Sequence, residues 1–191
     1  MKSHLHSIRQ CQHCADLLPQ APNPILSAHP ESKIIVVGQA PGRRAHLSQQ
    51  AWNDKSGDRL RDWLGVDRMQ FYDDHNFALM PMAFCFPGTG TSGDFPPPKA
   101  CATKWHRQLL GEMKQAQLLL LIGNFAQQYY LKHLPHKNLS ARVRNFENFL
   151  PKYFPLPHPS PRNNLWLRKN HWMEDLVVPE LREIVYRILS C

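Results

Sequence analysis

The segment QLLLLIGNFAQQYYLKHL, residues 117–134, decides the fold class of this chain. Its first half is a continuous run of leucine and isoleucine, which is typical of a strand buried on both faces. Gly123 follows, and a helix is predicted to open directly after it, over residues 124–134. A strand that passes straight into a helix favours an α/β protein with a parallel sheet.

Further strands and helices alternate on both sides of this segment. Strands are predicted for KIIVVG (33–38), FALMPMAF (77–84) and KYFPLP (152–157). Helices are predicted for SGDRLRDWLG (56–65), with Ser56 near its N-cap and Gly65 just past its end, around Thr103–Lys114, and for PELREIVYRILS (179–190). Loops are predicted for residues 39–55 and 85–101. The alternation predicts a parallel sheet covered on both faces, in a single domain over residues 1–191.

Composition bounds the possible partners. The chain has 191 residues, 42% of them hydrophobic and 20% charged, which is enough to bury a core without disulfides. Its net charge of +8 favours a polyanionic partner, nucleic acid before membrane, although a basic enzyme without such a partner has the same charge. The sequence has neither an apolar run of about 18 residues nor an apolar leader. We therefore expect a cytoplasmic protein without membrane contact, whose cysteines are reduced or metal-bound.

Four of the five cysteines form a pattern that predicts a metal centre. Cys11 and Cys14 form a Cys-x-x-Cys pair, and Cys85 and Cys101 lie far downstream with fifteen residues between them. Such a set suits zinc or an iron–sulfur cluster, and the open second pair favours the cluster because zinc ribbons use two tight pairs. The alternative is four unrelated cysteines, two of them buried as small apolar residues. Cys191 is expected to take no part.

Two polar segments follow predicted strands directly. They are GQAPG (38–42) and PHPSPRN (157–163). Because ligands bind at the carboxyl ends of parallel strands, we expect both segments to face one crevice. GQAPG is either a tight turn or a place where backbone N–H groups approach a ligand. His158, between two prolines, is either a surface histidine or a group that polarises a carbonyl.

Aromatic and basic residues near these segments allow two interpretations as well. Trp52, in a polar loop, is either a lid over the core or a stacking platform for a base. Arg162, Arg168, Lys169 and His171 form either a solvated face or, with the interleaved apolar pair Leu165–Trp166, a loop that grips phosphates and wedges between bases.

Together these motifs resemble one protein family. VVGQAPG (36–42) resembles the GEAPG loop, motif A, of the iron–sulfur uracil-DNA glycosylases. HPSPRN (158–163) is similar to motif B of the uracil-DNA glycosylase superfamily, and its residues resemble those of the single-strand-selective monofunctional members. The cysteine spacing resembles that of the iron–sulfur class, and LLLLIGNFAQQYYL resembles the strand–Gly–Phe-Ala helix opening of that class. The likeness runs in order from Cys11 to about Asn163.

The resemblance implies a fold, a cofactor and a set of site residues. The fold is a three-layer α/β/α sandwich around a central, mainly parallel four-stranded sheet, and the cofactor is a 4Fe–4S cluster of mainly structural role. The implied activity is removal of a damaged base that is flipped out of DNA. His158 would hydrogen-bond the base oxygen on which negative charge grows. The implied metal ligands are Cys11, Cys14, Cys85 and Cys101; the base-binding residues are Ala40, Pro41, Gly42, Trp52, Pro81 and Asn124; the DNA-binding residues are Ser160, Pro161, Arg162, Asn163 and Leu165.

Three positions depart from the family pattern. Ala40 stands where the best-known branch has a water-activating aspartate, and Gln39 stands where the iron–sulfur branch has glutamate. Catalysis would then depend on electrostatic stabilisation, with Gln39 in that catalytic position and Asp54 as the candidate that positions water. Pro81 stands where the family has a base-reading asparagine, and its side chain offers no hydrogen bond.

We therefore expect a monofunctional glycosylase, acting as a monomer on uracil or a related deaminated base in DNA. One alternative is a glycosylase directed at hypoxanthine or xanthine, which the proline at position 81 makes plausible. Another is a non-catalytic protein that binds lesion DNA on the same scaffold. A zinc-binding nucleic-acid module is disfavoured by the cysteine spacing.

Overall fold

A computed structural model describes residues 1–91, 93–133 and 138–190 of the chain. The strands are β1 (Ile34–Val37), β2 (Phe77–Leu79), β3 (Thr89–Gly90), β4 (Gly93–Asp94), β5 (Leu118–Ile122) and β6 (Tyr153–Leu156). The α-helices are α1 (Lys2–Arg9), α2 (Arg43–Ser48), α3 (Lys55–Leu64), α4 (Arg68–Tyr72), α5 (Lys99–Glu112), α6 (Asn124–Tyr130), α7 (Leu139–Arg144), α8 (Asn164–Lys169) and α9 (Val178–Ser190). A π-helical turn, Met173–Val177, leads directly into α9.

The sheet is parallel throughout, with strand order β2-β1-β5-β6. The two central strands β1 and β5 are apolar and fully buried, as expected for strands that have neighbours on both sides and helices on both faces. A separate antiparallel hairpin, β3–β4, lies in the connection between β2 and α5.

Alternate residues of the central strands pack into two different cores. Ile34 and Val36 join a core with residues of α3 and α9, whereas Ile35 and Val37 join a second core with residues of α1, α5 and α6. This follows from the two-residue period of a strand, which sends successive side chains to opposite faces. The result is an α/β/α sandwich around a four-stranded parallel sheet, which confirms the predicted fold class.

The predicted second strand, residues 77–84, was too long. β2 ends at Leu79, two residues before Pro81, whose ring fixes φ away from the value of a regular strand. Met80 and Met82 on either side of it still donate to the carbonyls of Val36 and Gly38, at 2.9 Å each. Residues 80–83 therefore run beside the end of β1 as an irregular extension of β2.

Other predicted boundaries also need correction. The helix expected from Ser56 begins at Lys55, since the Asp54 carboxylate accepts the N-cap hydrogen bond from Gly57 N at 2.9 Å; Gly65 ends it in the left-handed conformation, as predicted. The helix expected over Thr103–Lys114 is α5, Lys99–Glu112, which brings Cys101 into its first turn.

The two predicted loops contain short elements. Residues 39–55 include α2, and residues 85–101 include the β3–β4 hairpin. The helix predicted to reach Leu134 was too long, since α6 ends at Tyr130 with Leu131 as its C-cap; Leu134 itself and Cys191 lie outside the described residues. Helices α1, α4, α7 and α8 were not predicted. Among the described residues, none of the helices combines the length and apolarity needed to cross a membrane.

Candidate active site

An open cleft of about 630 Å³ lies at the carboxyl ends of β1 and β6. Both segments expected to share a crevice line it, which confirms that they face each other. The predicted site residues on its walls are Gln39, Ala40, Pro41, Gly42, Trp52, Asp54, Pro81, His158, Ser160, Pro161, Arg162 and Asn163. The cleft is also lined by residues that sequence reasoning did not select, among them Arg44, Lys55, Gly93 and Asp94.

The loop after β1 is fixed through its backbone and through Gln39. The carbonyl of Gln39 accepts from Ala83 N at 3.1 Å, and its side-chain Nε2 donates to the carbonyl of Phe95 at 3.0 Å. One side chain thus joins this loop to the residue that follows the β3–β4 hairpin. In this conformation the Gln39 amide holds the hairpin in position beside the cleft.

Trp52 is packed closely into the floor of the cleft. Its φ is +58°, and the Arg61 guanidinium donates to its carbonyl at 3.3 Å. A Cβ at Gly57 would lie 1.8 Å from that carbonyl oxygen, and a Cβ at Gly38 would lie 2.8 Å from the indole. Both glycines are required because the tryptophan occupies the space that a side chain would need.

His158 projects from the loop after β6 and is held in one tautomer. The backbone N–H of Ser160 donates to its Nδ1 at 3.2 Å, and the side chain of Asn163 donates to its carbonyl at 2.7 Å. A ring nitrogen that accepts a hydrogen bond carries no proton, so the neutral imidazole has its proton on Nε2. Burial lowers the pKa of His158, and the carboxylates of Asp54 and Asp94 oppose part of this shift. At neutral pH the residue is therefore an uncharged donor.

The rest of the loop is rigid and partly exposed. Ser160 Oγ accepts from Arg162 N at 3.3 Å, and Arg59 donates to the carbonyls of Pro159 and Ser160 at 3.2 and 3.4 Å. The chain then passes through a 3-10 turn, Pro161–Asn163, into α8. Leu165, in the first turn of α8, is 67% exposed and stands outside the residues that line the cleft.

Pro81 lines the cleft with a buried residue behind it. Its carbonyl accepts from His106 Nε2 at 3.1 Å, and His106 Nδ1 lies 2.6 Å from the Tyr130 hydroxyl. Because a carbonyl only accepts, the proton of His106 is on Nε2 and Tyr130 donates to Nδ1. Burial lowers the pKa of His106 to about 4, so this imidazole is neutral. Nothing in the sequence pattern pointed to this pair.

Asn124 is the predicted base-binding residue that the cleft does not include. It is exposed at the start of α6, and its side-chain oxygen accepts from Arg142 at 3.0 Å. The neighbouring Gly123 does lie near His158, since a Cβ there would be 3.8 Å from the His158 Cβ. Asn124 therefore stands beside the cleft, with its amide engaged by a buried arginine.

The charges of two carboxylates in the cleft, Asp54 and Asp94, act on His158, and only Asp54 was predicted as a site residue. Asp54 caps α3 through one oxygen, as described above. Asp94 comes from β4, where its Oδ1 accepts from the Thr89 hydroxyl at 2.8 Å. The signal in the sequence was the Gly-rich stretch GTGTSGD, residues 88–94, which is typical of a tight hairpin. The sequence did not indicate that residues of this hairpin line the cleft.

All four predicted metal ligands line one apolar cavity near α1 and α5. Cys11, Cys14, Cys85 and Cys101 share it with apolar residues that include Ile8, Leu18, Phe84 and Trp105. Burial, with a smaller contribution from the charges of the other cysteines, raises the pKa of Cys85 to about 11 and that of Cys101 to about 12. Four thiolates can share such a cavity only if a cation compensates their charge.

The four cysteines provide ligands that suit either an iron–sulfur cluster or a zinc ion, since thiolates hold both. In the described part of the chain, no three of their sulfur atoms lie within 4.8 Å of one another. The cluster itself remains a prediction that these four residues fit. A different group, His29, Glu31 and His75, does have ligand atoms within 4.8 Å, but it precedes β1 and β2 and so lies at the opposite end of the sheet.

Comparison with known proteins gives a match to a family model and similarity to solved structures. A sequence model of the uracil DNA glycosylase superfamily matches residues 27–182. A solution NMR structure of a Methanosarcina acetivorans protein, proposed to be a uracil DNA glycosylase, is similar with a TM-score of 0.46 and 14% identity, over 84% of this chain and 98% of that one. The TM-score and the sequence identity to that neighbour are too low to support a fold or a function. The family match, in contrast, covers both loops of the cleft.

Proposed function

This chain belongs to the uracil DNA glycosylase superfamily, and we propose that it is a monofunctional DNA glycosylase that hydrolyses the N-glycosidic bond of uracil or a related deaminated base. The observation that carries the proposal is the state of His158. It is a neutral imidazole, held by Ser160 and Asn163 with its proton on Nε2, in a cleft whose opposite wall is the GQAPG loop.

DNA binding is supported by the charge around the cleft. Arg44, Lys55 and Arg162 are exposed at its walls, and the whole chain carries +8. Such cations neutralise phosphates and set the position of the protein on the duplex without reading its sequence. The rigid Ser160–Pro161–Arg162 segment would press on the backbone of the damaged strand, with one protein molecule bound to each lesion.

A base is accessible to the cleft only after it leaves the stack. Extrusion costs a few kcal/mol and is easiest where pairing is already weakened. Leu165, exposed at the start of α8, would enter the vacated space, as apolar wedges do in other proteins that kink DNA. Trp52 offers the extruded base an aromatic surface, and the Pro41 and Gly42 backbone would lie along its edge.

Cleavage would depend on charge that develops in the leaving base. As the glycosidic bond breaks, its electron pair moves to the base. In uracil, negative charge grows on the oxygen next to the ring nitrogen. A donor placed at that oxygen stabilises the transition state more than the ground state. His158 Nε2–H would be that donor. The carboxylates that face His158 would stabilise the positive charge that grows on the sugar.

The cysteine cavity would hold the 4Fe–4S cluster through Cys11, Cys14, Cys85 and Cys101. When bound, the cluster supplies no step of the hydrolysis but cross-links three distant parts of the chain. Cys85 follows the segment that contains Pro81, and Cys101 lies in the same helix as His106. The cluster would therefore stabilise the wall of the cleft against which the base is held.

A second substrate class is favoured by Pro81. Its side chain has no donor or acceptor, and its carbonyl already accepts from His106. A pocket that does not read the base by paired hydrogen bonds discriminates weakly between bases. Hypoxanthine or xanthine would then be excised at rates comparable to uracil. A non-catalytic lesion binder is the less favoured alternative, because such a protein needs neither a fixed imidazole tautomer nor carboxylates facing it.

The test is formation of abasic product in single-turnover reactions. Duplex and single-stranded oligonucleotides with one uracil, hypoxanthine or xanthine would be incubated with excess protein and then cleaved with alkali. Product from any of them supports a glycosylase, and the ratio of rates identifies the base. Tight lesion binding without product on all of them would leave the binding protein as the function.

A further inference from the structure

We infer that Asp94, on the β3–β4 hairpin, is the carboxylate that activates the attacking water in this enzyme. The inference rests on the proposed glycosylase function and adds a residue to it. Hydrolysis requires a water molecule directed at C1′, and the GQAPG loop offers no group that accepts its proton, because Gln39 is an amide and Ala40 has no polar side chain. A carboxylate that activates the water would therefore come from elsewhere in the cleft.

Asp94 lies against the GQAPG loop. It lines the cleft together with Ala40 and His158, and its Oδ2 is the nearest atom to a Cβ built on Gly42, at 3.4 Å. Its charge acts on the His158 imidazole. The carboxylate thus lies over the GQAPG loop and faces the group that would hold the leaving base.

The side chain is oriented by its own hairpin. The Thr89 hydroxyl donates to Oδ1 at 2.8 Å, which leaves Oδ2 directed toward the GQAPG loop. The hairpin is tied in turn to that loop, since Gln39 Nε2 donates to the carbonyl of Phe95, the residue after Asp94. Arg162 packs against the other side of the hairpin, where Gly93 has a φ of +138° and a Cβ would lie 2.3 Å from the guanidinium.

Asp54, the other carboxylate in the cleft, already has a structural role. Its Oδ1 accepts from Gly57 N as the N-cap of α3. Movement of this carboxylate toward a substrate water would leave that N–H without its partner. Asp54 would therefore position α3 and contribute negative charge near the sugar, whereas Asp94 would take the proton.

The step balances as a hydrolysis. A water molecule held by Asp94 Oδ2 forms a bond from its oxygen to C1′ as the C1′–N bond breaks. The electron pair of the broken bond leaves with the base, whose oxygen is hydrogen-bonded by His158 Nε2–H. The water proton passes to Asp94 and from there to solvent or to the released base. The products are the free base and an abasic site.

The experiment compares four proteins in single-turnover excision and in lesion-DNA affinity: the native chain, Asp94→Asn, Asp94→Asn with Ala40→Asp, and Asp175→Asn as an exposed aspartate outside the cleft. Asp94→Asn is expected to lose about 100-fold or more in rate with affinity within a few-fold of native, since general base catalysis contributes roughly that much. Returning a carboxylate to the GQAPG loop at Ala40 is expected to recover at least about tenfold of that loss. Asp175→Asn is expected to match the native protein.

Each other outcome overturns the assignment. If the single-turnover rate of Asp94→Asn stays within about threefold of the native rate, another group activates the attacking water. If rate and affinity fall together, or if Ala40→Asp restores nothing, the loss belongs to DNA contact or to the shape of the hairpin. These outcomes all require an active native enzyme. If the native chain forms no abasic product on any lesion, the proposed function fails and the role of Asp94 fails with it.

Discussion

The Trp52 indole and the His158 imidazole stack on each other, with ring centroids 5.6 Å apart and ring planes at 28°. One residue belongs to the connection between β1 and α3 and the other to the loop after β6, so this contact joins the two walls of the cleft. The tryptophan is fixed in turn by Arg61, Gly38 and Gly57. It therefore limits rotation of the imidazole about its side-chain bonds.

The first prediction concerns the pH dependence of excision. Burial holds the pKa of His158 below its usual value of about 6.5, so the neutral form persists as the pH falls through that value. We expect a single-turnover rate that is constant from about pH 8 to pH 6.5 and declines only at lower pH, as a proton enters Nδ1 and breaks the Ser160 hydrogen bond. His158→Gln should lack this acid limb. A rate that rises on acidification would show that the cation, not the neutral imidazole, is the active form.

The second prediction concerns the wedge. Leu165→Ala should slow excision from duplex DNA by about tenfold and leave single-stranded substrate nearly unchanged, because burying a leucine side chain is worth about 1.5–3 kcal/mol and only a duplex has a gap to fill. Leu176→Ala is the matched control, since Leu176 is 65% exposed and Leu165 is 67% exposed. Equal effects of Leu165→Ala on both substrates would remove this leucine from base extrusion.

The third prediction concerns His106 and stability. Its pKa is lowered to about 4 in the folded chain, so protons favour the unfolded state. The stabilising effect of the neutral residue is complete well above pH 6.5 and is lost as the pH falls toward 4, by roughly 2 to 3 kcal/mol between pH 7.5 and 4.5. His106→Gln keeps a donor for the Pro81 carbonyl but does not titrate. Denaturant unfolding at both pH values should show a smaller loss in the variant; equal losses would contradict a neutral buried His106.

The fourth prediction concerns the cysteine cavity. Protein purified without oxygen should contain iron and acid-labile sulfide and absorb in the visible range, and Cys85→Ser or Cys101→Ser should lose both iron and thermal stability. Substituting Ser for the more exposed Thr103, one turn after the start of α5, is the control for changes in that helix. Stoichiometric zinc without iron in the native protein would contradict the cluster assignment.

The sequence predicted the parts of this structure that depend on local pattern. The apolar runs of β1 and β5 and the amphipathic α9 were predicted from their periodicity, and the GQAPG and PHPSPRN loops were brought together correctly because parallel strands end at one edge. The end of β2 was predicted too late. The strand stops at Leu79, and the hydrogen bonds of Met80 and Met82 continue beside β1 only as an irregular segment. No local pattern distinguished Asp54 from Ser56 as the cap of α3.

Contacts between distant residues could not be predicted in the same way. The His106–Pro81 hydrogen bond and the position of Asp94 depend on how α5 and the β3–β4 hairpin pack, which the sequence of either element does not specify. Asn124 shows the reverse case. Its place in the chain suggested a base-reading amide, but the buried guanidinium of Arg142 engages that amide. These residues depend on packing across the sheet, and packing is set by the whole chain.

The most direct test of the account is the single-turnover rate of abasic-site formation on a uracil-containing duplex by the native protein and by His158→Ala, with the affinity for the same duplex measured in parallel. The account predicts product from the native protein and a loss of about 100- to 1,000-fold in rate for the variant, with affinity nearly unchanged, because the lost donor acts on the transition state. His75→Ala, which removes an exposed imidazole at the opposite end of the sheet, should behave as the native protein does. Excision by His158→Ala at the native rate would contradict the assignment of His158 as the donor that stabilises the leaving base.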